Sequence, residues 1–163
     1  MKSLFIVRHA KSSWDDSSLR DIERPLNNRG KRDAPRMASF LFSEIGSVDR
    51  IISSPAVRAQ TTANEFADAF GKRGEVEIDQ RIYGASSDRM LNILNNLSNS
   101  YSKVCLFGHN PTFTYFAEKL ADVNIGNLPT CGIVGIEFSV DDWQAVSWGS
   151  GQQIMYEYPK SLF

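Results

Sequence analysis

The chain contains two histidines, and each lies just beyond an apolar run. His9 follows Leu4–Val7 and Arg8, and His109 lies two residues after Val104–Phe107. Near-continuous apolar runs are typical of strands buried on both faces of a parallel sheet. Ligands of open α/β sheets bind beyond the carboxyl ends of the strands. We therefore expect both imidazoles and the Arg8 guanidinium to meet at one site.

A second arginine, Arg58, lies just inside a predicted helix start in the segment Ser53–Thr62. Free backbone N–H groups and the helix dipole favour an anion at such a position. A guanidinium also presents a planar fork of donors that matches phosphate oxygens. Arg8, Arg58 and a protonatable histidine would neutralise a phosphoryl dianion and stabilise the charge that develops during its transfer.

The other histidine of such a pocket can act as a nucleophile. An imidazole nitrogen attacks phosphorus, and water later hydrolyses the covalent phosphohistidine, so that one difficult step becomes two easier ones. The attacking ring must be neutral, and nearby Arg8 and Arg58 favour the neutral form by like-charge repulsion. A carbonyl or similar acceptor on the other ring nitrogen would fix the tautomer.

Helix and strand patterns alternate along the chain and then give way to a strand-rich end. This order predicts an α/β fold, a three-layer α/β/α sandwich with a mostly parallel central sheet and an antiparallel edge. Ser12–Arg24 reads as a polar loop over the site. The predicted strands are Leu4–Val7, Val48–Ile52, Val76–Ile78, Val104–Phe107, Ile133–Phe138, Trp143–Trp148 and Ile154–Tyr158. The predicted helices lie within Asn27–Ile45, between Pro55 and about Phe70, after a capping Ser87, and from Pro111 onward.

Composition limits the classes of function. The 163 residues, 42% hydrophobic and 23% charged, suit one globular domain spanning 1–163. A net charge of −1 predicts neither a nucleic-acid nor a membrane partner, and no signal-peptide or membrane-spanning segment is apparent. Cys105 and Cys131 suggest neither a disulfide framework nor a metal site, which favours a reducing cytoplasm. The oligomeric state is left open.

Three segments, in this order, resemble the histidine phosphatase superfamily (the phosphoglycerate mutase-like proteins). Further residues of the first third of the chain are most similar to its SixA-type branch, the phosphohistidine phosphatases. The superfamily segments are Arg8-His9, Ser53–Ala63 and Gly108–Pro111, and the branch features are Arg8–Trp14, Arg24–Leu26 and Gly30.

The resemblance implies a phosphoglycerate mutase-like fold and a hydrolase that needs neither a metal nor an organic cofactor. By position, His9 would be the phosphorylated nucleophile, and Arg8, Arg58 and His109 would form the phosphate pocket. Ser12 and Asn110 are further candidates for phosphate binding, although ordinary surface-loop chemistry explains them equally well.

Two positions depart from the superfamily pattern. Ala10 replaces the usual glycine after Arg-His, a change also familiar in the SixA-type branch. Gln80 stands where acid-using members often carry a glutamate, and an amide cannot protonate an alkoxide, a loss of about 10²–10⁴ in rate. Asp79 or Asp88 could replace this acid. Asp15, where many members use a phosphate-contacting asparagine, is expected to turn away or to pair with a cation such as Arg20 or Arg24.

A missing acid suits a P–N bond, which breaks more readily than an alkyl phosphate ester. The sequence therefore predicts removal of a phosphoryl group from phosphohistidine on a phosphotransfer protein. Two alternatives stay open: a phosphomonoesterase for a small phosphorylated metabolite, and a phosphate-binding regulatory protein with low turnover.

Overall fold

A six-stranded mixed sheet forms the centre of the molecule, in the order β3-β2-β4-β1-β5-β6. The structure is a computed structural model that describes residues 1–163. The strands are β1 Lys2–Arg8, β2 Arg50–Ser53, β3 Val76–Ile78, β4 Lys103–Gly108, β5 Ile133–Phe138 and β6 Gly151–Glu157. The helices are α1 Asn28–Ile45, α2 Val57–Ala69, α3 Ser87–Asn95, α4 Thr112–Ala121 and α5 Pro159–Leu162.

The first four strands pair in parallel, and β5 and β6 run antiparallel along one side. Side chains of β1 alternate between the two faces, as a pleated strand requires. Leu4 and Ile6 join a core cluster that includes residues of α3 and α4, whereas Phe5 and Val7 join a cluster with residues of α1 and α2. Both faces of the sheet are thus covered by helices, and the predicted three-layer sandwich is confirmed.

The chain leaves the neighbouring strands β1 and β4 toward opposite faces. β1 leads into α1, which packs with α2 in one cluster, and β4 leads into α4, which packs with α3 in the other. Such a divergence opens a crevice at the carboxyl ends of the two strands, where ligands of α/β proteins bind. The last paired residues are Arg8 and Gly108, so His9 and His109 both lie at the mouth of this crevice.

One predicted strand is wrong. Trp143–Trp148 begins with a 3₁₀ turn at Trp143–Ala145 and continues as a loop. The Asp142 carboxylate accepts a hydrogen bond from the Gln144 backbone N–H, which favours a turn over a strand. The fully buried Trp143 indole donates to the Tyr101 carbonyl, so its apolar character reflects core packing.

Two helix starts are displaced by one residue from the prediction. Ser86, rather than Ser87, caps α3 by accepting from the Arg89 backbone N–H. Pro111 precedes the first residue of α4 and follows Asn110 through a cis peptide bond. Helix ends fray, so a boundary shift of one residue is common.

None of the helices has the length and apolar character needed to cross a membrane. Cys105 and Cys131 are both free and fully buried, and burial raises the pKa of both thiols.

Candidate active site

His9 is the first residue beyond β1, and the backbone fixes its position. Its N–H donates to the Gly108 carbonyl at 3.0 Å, and its carbonyl accepts from the Cys131 N–H at 3.0 Å. The side chain is only 7% exposed, and Nδ1 lies 2.7 Å from the Ala10 carbonyl oxygen. A carbonyl can only accept, so Nδ1 carries the proton and Nε2 keeps its lone pair.

His109 faces His9 from the end of the neighbouring strand. The two ring centroids are 5.3 Å apart, and the rings are tilted by 52°. His109 Nε2 lies 2.8 Å from the hydroxyl of Ser54, which is fully buried, whereas Nδ1 is buried without a partner in the protein. Ser54 therefore makes the one hydrogen bond that orients this ring.

Both imidazoles are neutral at physiological pH. Burial, opposed by the Ala10 hydrogen bond and reinforced by His109 and the two arginines, lowers the pKa of His9 to about 3. Burial and the charge of Arg58, opposed by Asp21, lower the pKa of His109 to about 4. Desolvation is the leading cause for both rings, because removal from water penalises the charged form.

Two guanidinium groups complete the site: Arg8 is partly buried and Arg58 is buried. Arg8 donates from Nη1 to the Leu128 carbonyl at 3.0 Å, and its buried Nε has no partner in the protein. Arg58, the second residue of α2, is 6% exposed. It donates from Nη1 to the Asp21 carbonyl at 2.6 Å and from Nη2 to the Asp21 carboxylate at 3.0 Å. With five N–H donors in its fork, Arg58 retains donors for an anion.

The structure brings the four predicted residues, Arg8, His9, Arg58 and His109, together around one cavity of about 160 Å³. Its polar lining is completed by Lys11, Ser12, Trp14, Arg24, Asn110 and Thr130. A second cavity, of about 190 Å³, adjoins it at His109 and Asn110. Small-molecule pockets commonly measure about 300–1,000 Å³. Each cavity is smaller, and the first is suited to a phosphoryl group rather than to a whole metabolite.

The two further candidates for phosphate binding both reach this cavity, but their side chains already have protein partners. The Ser12 hydroxyl accepts from Arg24. The Asn110 amide donates to Asn127 and to the Leu128 carbonyl, and its oxygen accepts from the Thr114 N–H and hydroxyl. These contacts use most of the bonding capacity of the Asn110 amide, and its evident task is to hold the start of α4 against the loop at 127–128.

None of the candidate acids lines the cavity. Asp79 caps a 3₁₀ turn and pairs with Arg81 at 2.6 Å. Asp88 is exposed in the first turn of α3, and Gln80 is exposed as well. Asp15 lines a separate surface cleft and pairs with neither expected cation, since Arg20 binds Glu23 and Arg24 binds Asp21. Asp15 is thus turned away from the phosphate cavity, which was the first of its two expected arrangements.

Sequence reasoning missed Asp21, which lies within the loop Ser12–Arg24. Its carboxylate accepts from Arg58, from Arg24 and, at 2.6 Å, from the Tyr83 hydroxyl. The Tyr83 ring in turn stands edge-on to His109, with the centroids 5.5 Å apart. No local signal separates Asp21 from Asp15 and Asp16, because its partners lie far along the chain.

Comparisons with known proteins agree with this geometry. Residues 4–84 match the model of the histidine phosphatase superfamily (branch 1). The chain belongs to the histidine phosphatase superfamily. It is accordingly a phosphatase, a hydrolase as the sequence predicts.

Several individual superfamily relatives are similar over most of the chain. An uncharacterized chloroplastic protein of Arabidopsis thaliana is 31% identical over 153 residues, which cover 88% of this chain and 69% of the relative. The phosphohistidine phosphatase SixA of Escherichia coli is 26% identical over 119 residues, 72% of this chain and 73% of that protein. The fold matches that of the protein histidine phosphatase SixA complexed with tungstate, with a TM-score of 0.84, 22% identity and 99% of each chain covered.

Proposed function

We propose that this chain removes the phosphoryl group from phosphohistidine on a protein, through a covalent phosphohistidine intermediate on His9. One observation carries the proposal. A neutral imidazole, with its Nδ1 proton bound to the Ala10 carbonyl, lies in a small cavity beside a second imidazole and two guanidinium groups. This arrangement offers a nucleophile and an anion pocket in the same place.

In the first step, the Nε2 lone pair of His9 forms a bond to phosphorus. The bond from phosphorus to the leaving group breaks, and its electron pair goes to the leaving nitrogen. In the second step, water attacks phosphorus, and the P–N bond to His9 breaks with return of the electron pair to Nε2. Both protons of the attacking water leave with the released phosphate, so His9 keeps only its Nδ1 proton and the enzyme returns to its starting state.

The surrounding groups stabilise the charge on the phosphoryl oxygens in both steps. Arg8 and Arg58 contribute two fixed positive charges, and the start of α2 adds the positive end of a helix dipole. His109 is neutral in the free site, so it acts as a hydrogen-bonding group until a dianion raises its pKa. Because the protein holds these groups in buried or partly buried positions, little reorganisation is needed during reaction.

Two features support phosphohistidine as the substrate. No candidate acid lines the cavity, and a P–N bond depends less on an acid than an alkyl ester does. The cavity of about 160 Å³ accommodates the phosphoryl group, so the rest of the substrate would lie in the adjoining cavity of about 190 Å³ or outside both, as a protein surface does. We further propose that the protein acts in the cytoplasm, in keeping with its two free thiols.

The test compares a phosphohistidine-bearing phosphotransfer domain with para-nitrophenyl phosphate. We expect a higher kcat/KM for the phosphoprotein, and acid-labile, base-stable phosphate on the enzyme during turnover. His9→Ala should lose both the labelling and the activity, whereas Asp88→Asn, which changes an exposed carboxylate outside the cavity, should retain them.

Two outcomes would overturn the proposal. Preference for alkyl phosphate monoesters, with loss of activity in Asp79→Asn or Asp88→Asn, would indicate an acid-using esterase for a small metabolite. Phosphate binding without labelling of His9 would indicate a low-turnover binding protein.

A further inference from the structure

The Asp21 carboxylate stands at the mouth of the site and is held there by three donors. Oδ1 accepts from Arg24 at 2.9 Å, and Oδ2 accepts from Arg58 at 3.0 Å and from the Tyr83 hydroxyl at 2.6 Å. Two of these partners, Arg24 and Arg58, line the phosphate cavity, and Tyr83 stands against His109. Asp21 is therefore fixed next to the reacting groups, although nothing in the proposed chemistry has used it so far.

Asp21 is an acceptor and not an acid. The Tyr83 hydroxyl, followed by the Arg58 and Arg24 guanidinium groups, holds the pKa of this carboxyl well below its usual range in spite of burial. An ionised carboxylate offers about four acceptor sites, of which three are occupied. The remaining site is on Oδ1, and 48% of the side chain is exposed. A ligand at the mouth can thus donate a hydrogen bond to it.

We propose that Asp21 determines specificity by accepting a hydrogen bond from the remote ring N–H of the substrate imidazole while its P–N bond breaks. This inference rests on the proposed function and names the group that recognises the leaving side chain. Asp21 would select a phosphorylated imidazole over a phosphorylated alcohol.

The electron and proton balance of the leaving group explains why an acceptor suits this reaction. When the remote nitrogen of phosphohistidine carries a proton, cleavage sends the P–N electron pair to the leaving nitrogen. The product is a neutral imidazole with one N–H, and the enzyme supplies no proton. When the remote nitrogen is bare, the leaving group is an imidazolate anion, which is far less stable. A carboxylate bound to the remote N–H favours the protonated form of the substrate.

An alkyl phosphate makes the opposite demand, because its leaving oxygen must receive a proton. Asp21, held ionised by three donors, has none to give. One residue would therefore both assist P–N cleavage and leave P–O cleavage unassisted. P–N cleavage can therefore proceed although no acid lines the cavity.

The test measures Asp21→Asn with phosphoimidazole and with para-nitrophenyl phosphate, whose leaving phenolate needs neither an acid nor an N–H acceptor. We expect kcat/KM for phosphoimidazole to fall about 10- to 100-fold, as for a lost hydrogen bond to a charged group. The fall for the aryl ester should be at least tenfold smaller. In the pH dependence of kcat for phosphoimidazole, the alkaline limb of Asp21→Asn should lie at lower pH than that of the wild type, because the bound substrate loses its ring proton more easily.

Two control variants keep the result interpretable. Asp16→Asn removes the same charge from the same loop, at a carboxylate that bonds only to Ser18, and it should keep the wild-type ratio between the two substrates. Asp21→Glu keeps the charge and should recover part of the preference for phosphoimidazole. Thermal unfolding shows whether Asp21→Asn disturbs folding, and in that case Asp21→Glu carries the test.

The outcomes separate this inference from the proposed function. If the wild type turns over neither phosphoimidazole nor the phosphoprotein, the proposed function fails. If the wild type turns them over, the inference still fails when Asp21→Asn lowers kcat/KM equally for phosphoimidazole and para-nitrophenyl phosphate and leaves the alkaline limb of the pH profile in place. Asp21 is then only a structural partner of Arg58.

Discussion

The floor and the rim of the cavity are built by different means. The floor consists of Arg8, His9, Arg58 and His109, and three of these residues come directly from strand ends that the backbone ladder aligns. The rim consists of Trp14, Asp21, Arg24 and Tyr83, and contacts between side chains hold it together.

Exposure differs in the same sense, except that Arg24 of the rim is buried. His9 and Arg58 are 7% and 6% exposed, whereas Trp14 and Tyr83 are 73% and 36% exposed. Buried groups keep their geometry and strong electrostatics whatever substrate arrives, whereas exposed groups meet the part of the substrate that varies. The floor is thus suited to phosphoryl transfer in general, and the rim to the choice of leaving group.

Substitution of a floor arginine should have the largest effect. We expect Arg58→Ala to lower kcat/KM about 10²–10³-fold with any phosphorylated substrate, as for loss of one transition-state donor group. Arg58→Lys should recover only part, because an ammonium lacks the planar fork. Steady-state kinetics of both variants with the phosphoprotein and with para-nitrophenyl phosphate measures these losses. Full activity in Arg58→Lys would mean that only the charge at this position matters.

A change beneath the floor should act on stability. A Cβ added to Gly30 in α1 would collide with the Lys11 carbonyl oxygen, in the segment that follows His9. We expect Gly30→Ala to lower the free energy of unfolding by about 1–3 kcal/mol through overpacking. Lys31→Ala, at the exposed neighbouring position, should change it by less than about 0.5 kcal/mol. Equal effects of the two variants in urea denaturation would contradict the close approach.

The two histidines should not titrate near neutrality. With pKa values of about 3 and 4, both rings should keep neutral NMR shifts from pH 8 down to pH 5. The unfolded chain takes up these protons near pH 6.5, so these rings leave stability unchanged above that pH. The free energy of unfolding should fall as the pH drops from 6.5 toward 4. A ring that titrates near 6.5 would show that the floor is more hydrated than the structure indicates.

The smallest effect is expected at the rim. The Arg24 guanidinium lies 3.2 Å from the centroid of the exposed Trp14 ring. An exposed cation–π contact contributes about 0.5–1 kcal/mol, so Trp14→Ala should raise KM for the phosphoprotein no more than about fivefold. The change for para-nitrophenyl phosphate should be smaller still. If Trp14→Ala raised KM more for para-nitrophenyl phosphate than for the phosphoprotein, the rim would not select the leaving group.

The floor was predictable from sequence, whereas Asp21, which joins the side chains of the rim, was not. Arg8, His9 and His109 follow apolar runs whose pairing is a general property of parallel sheets, and Arg58 follows a recognisable helix start. Asp21 carries no such signal, since its partners Arg58 and Tyr83 are 37 and 62 residues away along the chain.

The error at Trp143–Trp148 has a similar origin. The residues Trp143–Trp148 predicted a strand there, but Asn99 and Tyr101 bind the Trp143 backbone and indole and hold it in a turn. Contacts between residues far apart in the chain thus decide both the position of Asp21 and the turn at Trp143.

The pairing of β1 with β4 also has a consequence for the biosynthesis of the protein. His9 leaves the ribosome about 100 residues before His109, so their contact is a long-range one that forms slowly. A nascent or truncated chain that ends before β4 holds a nucleophile without its opposing imidazole. Catalytic activity therefore requires that β1 and β4 have paired, and its recovery after denaturation should not precede the closure of that pair of strands.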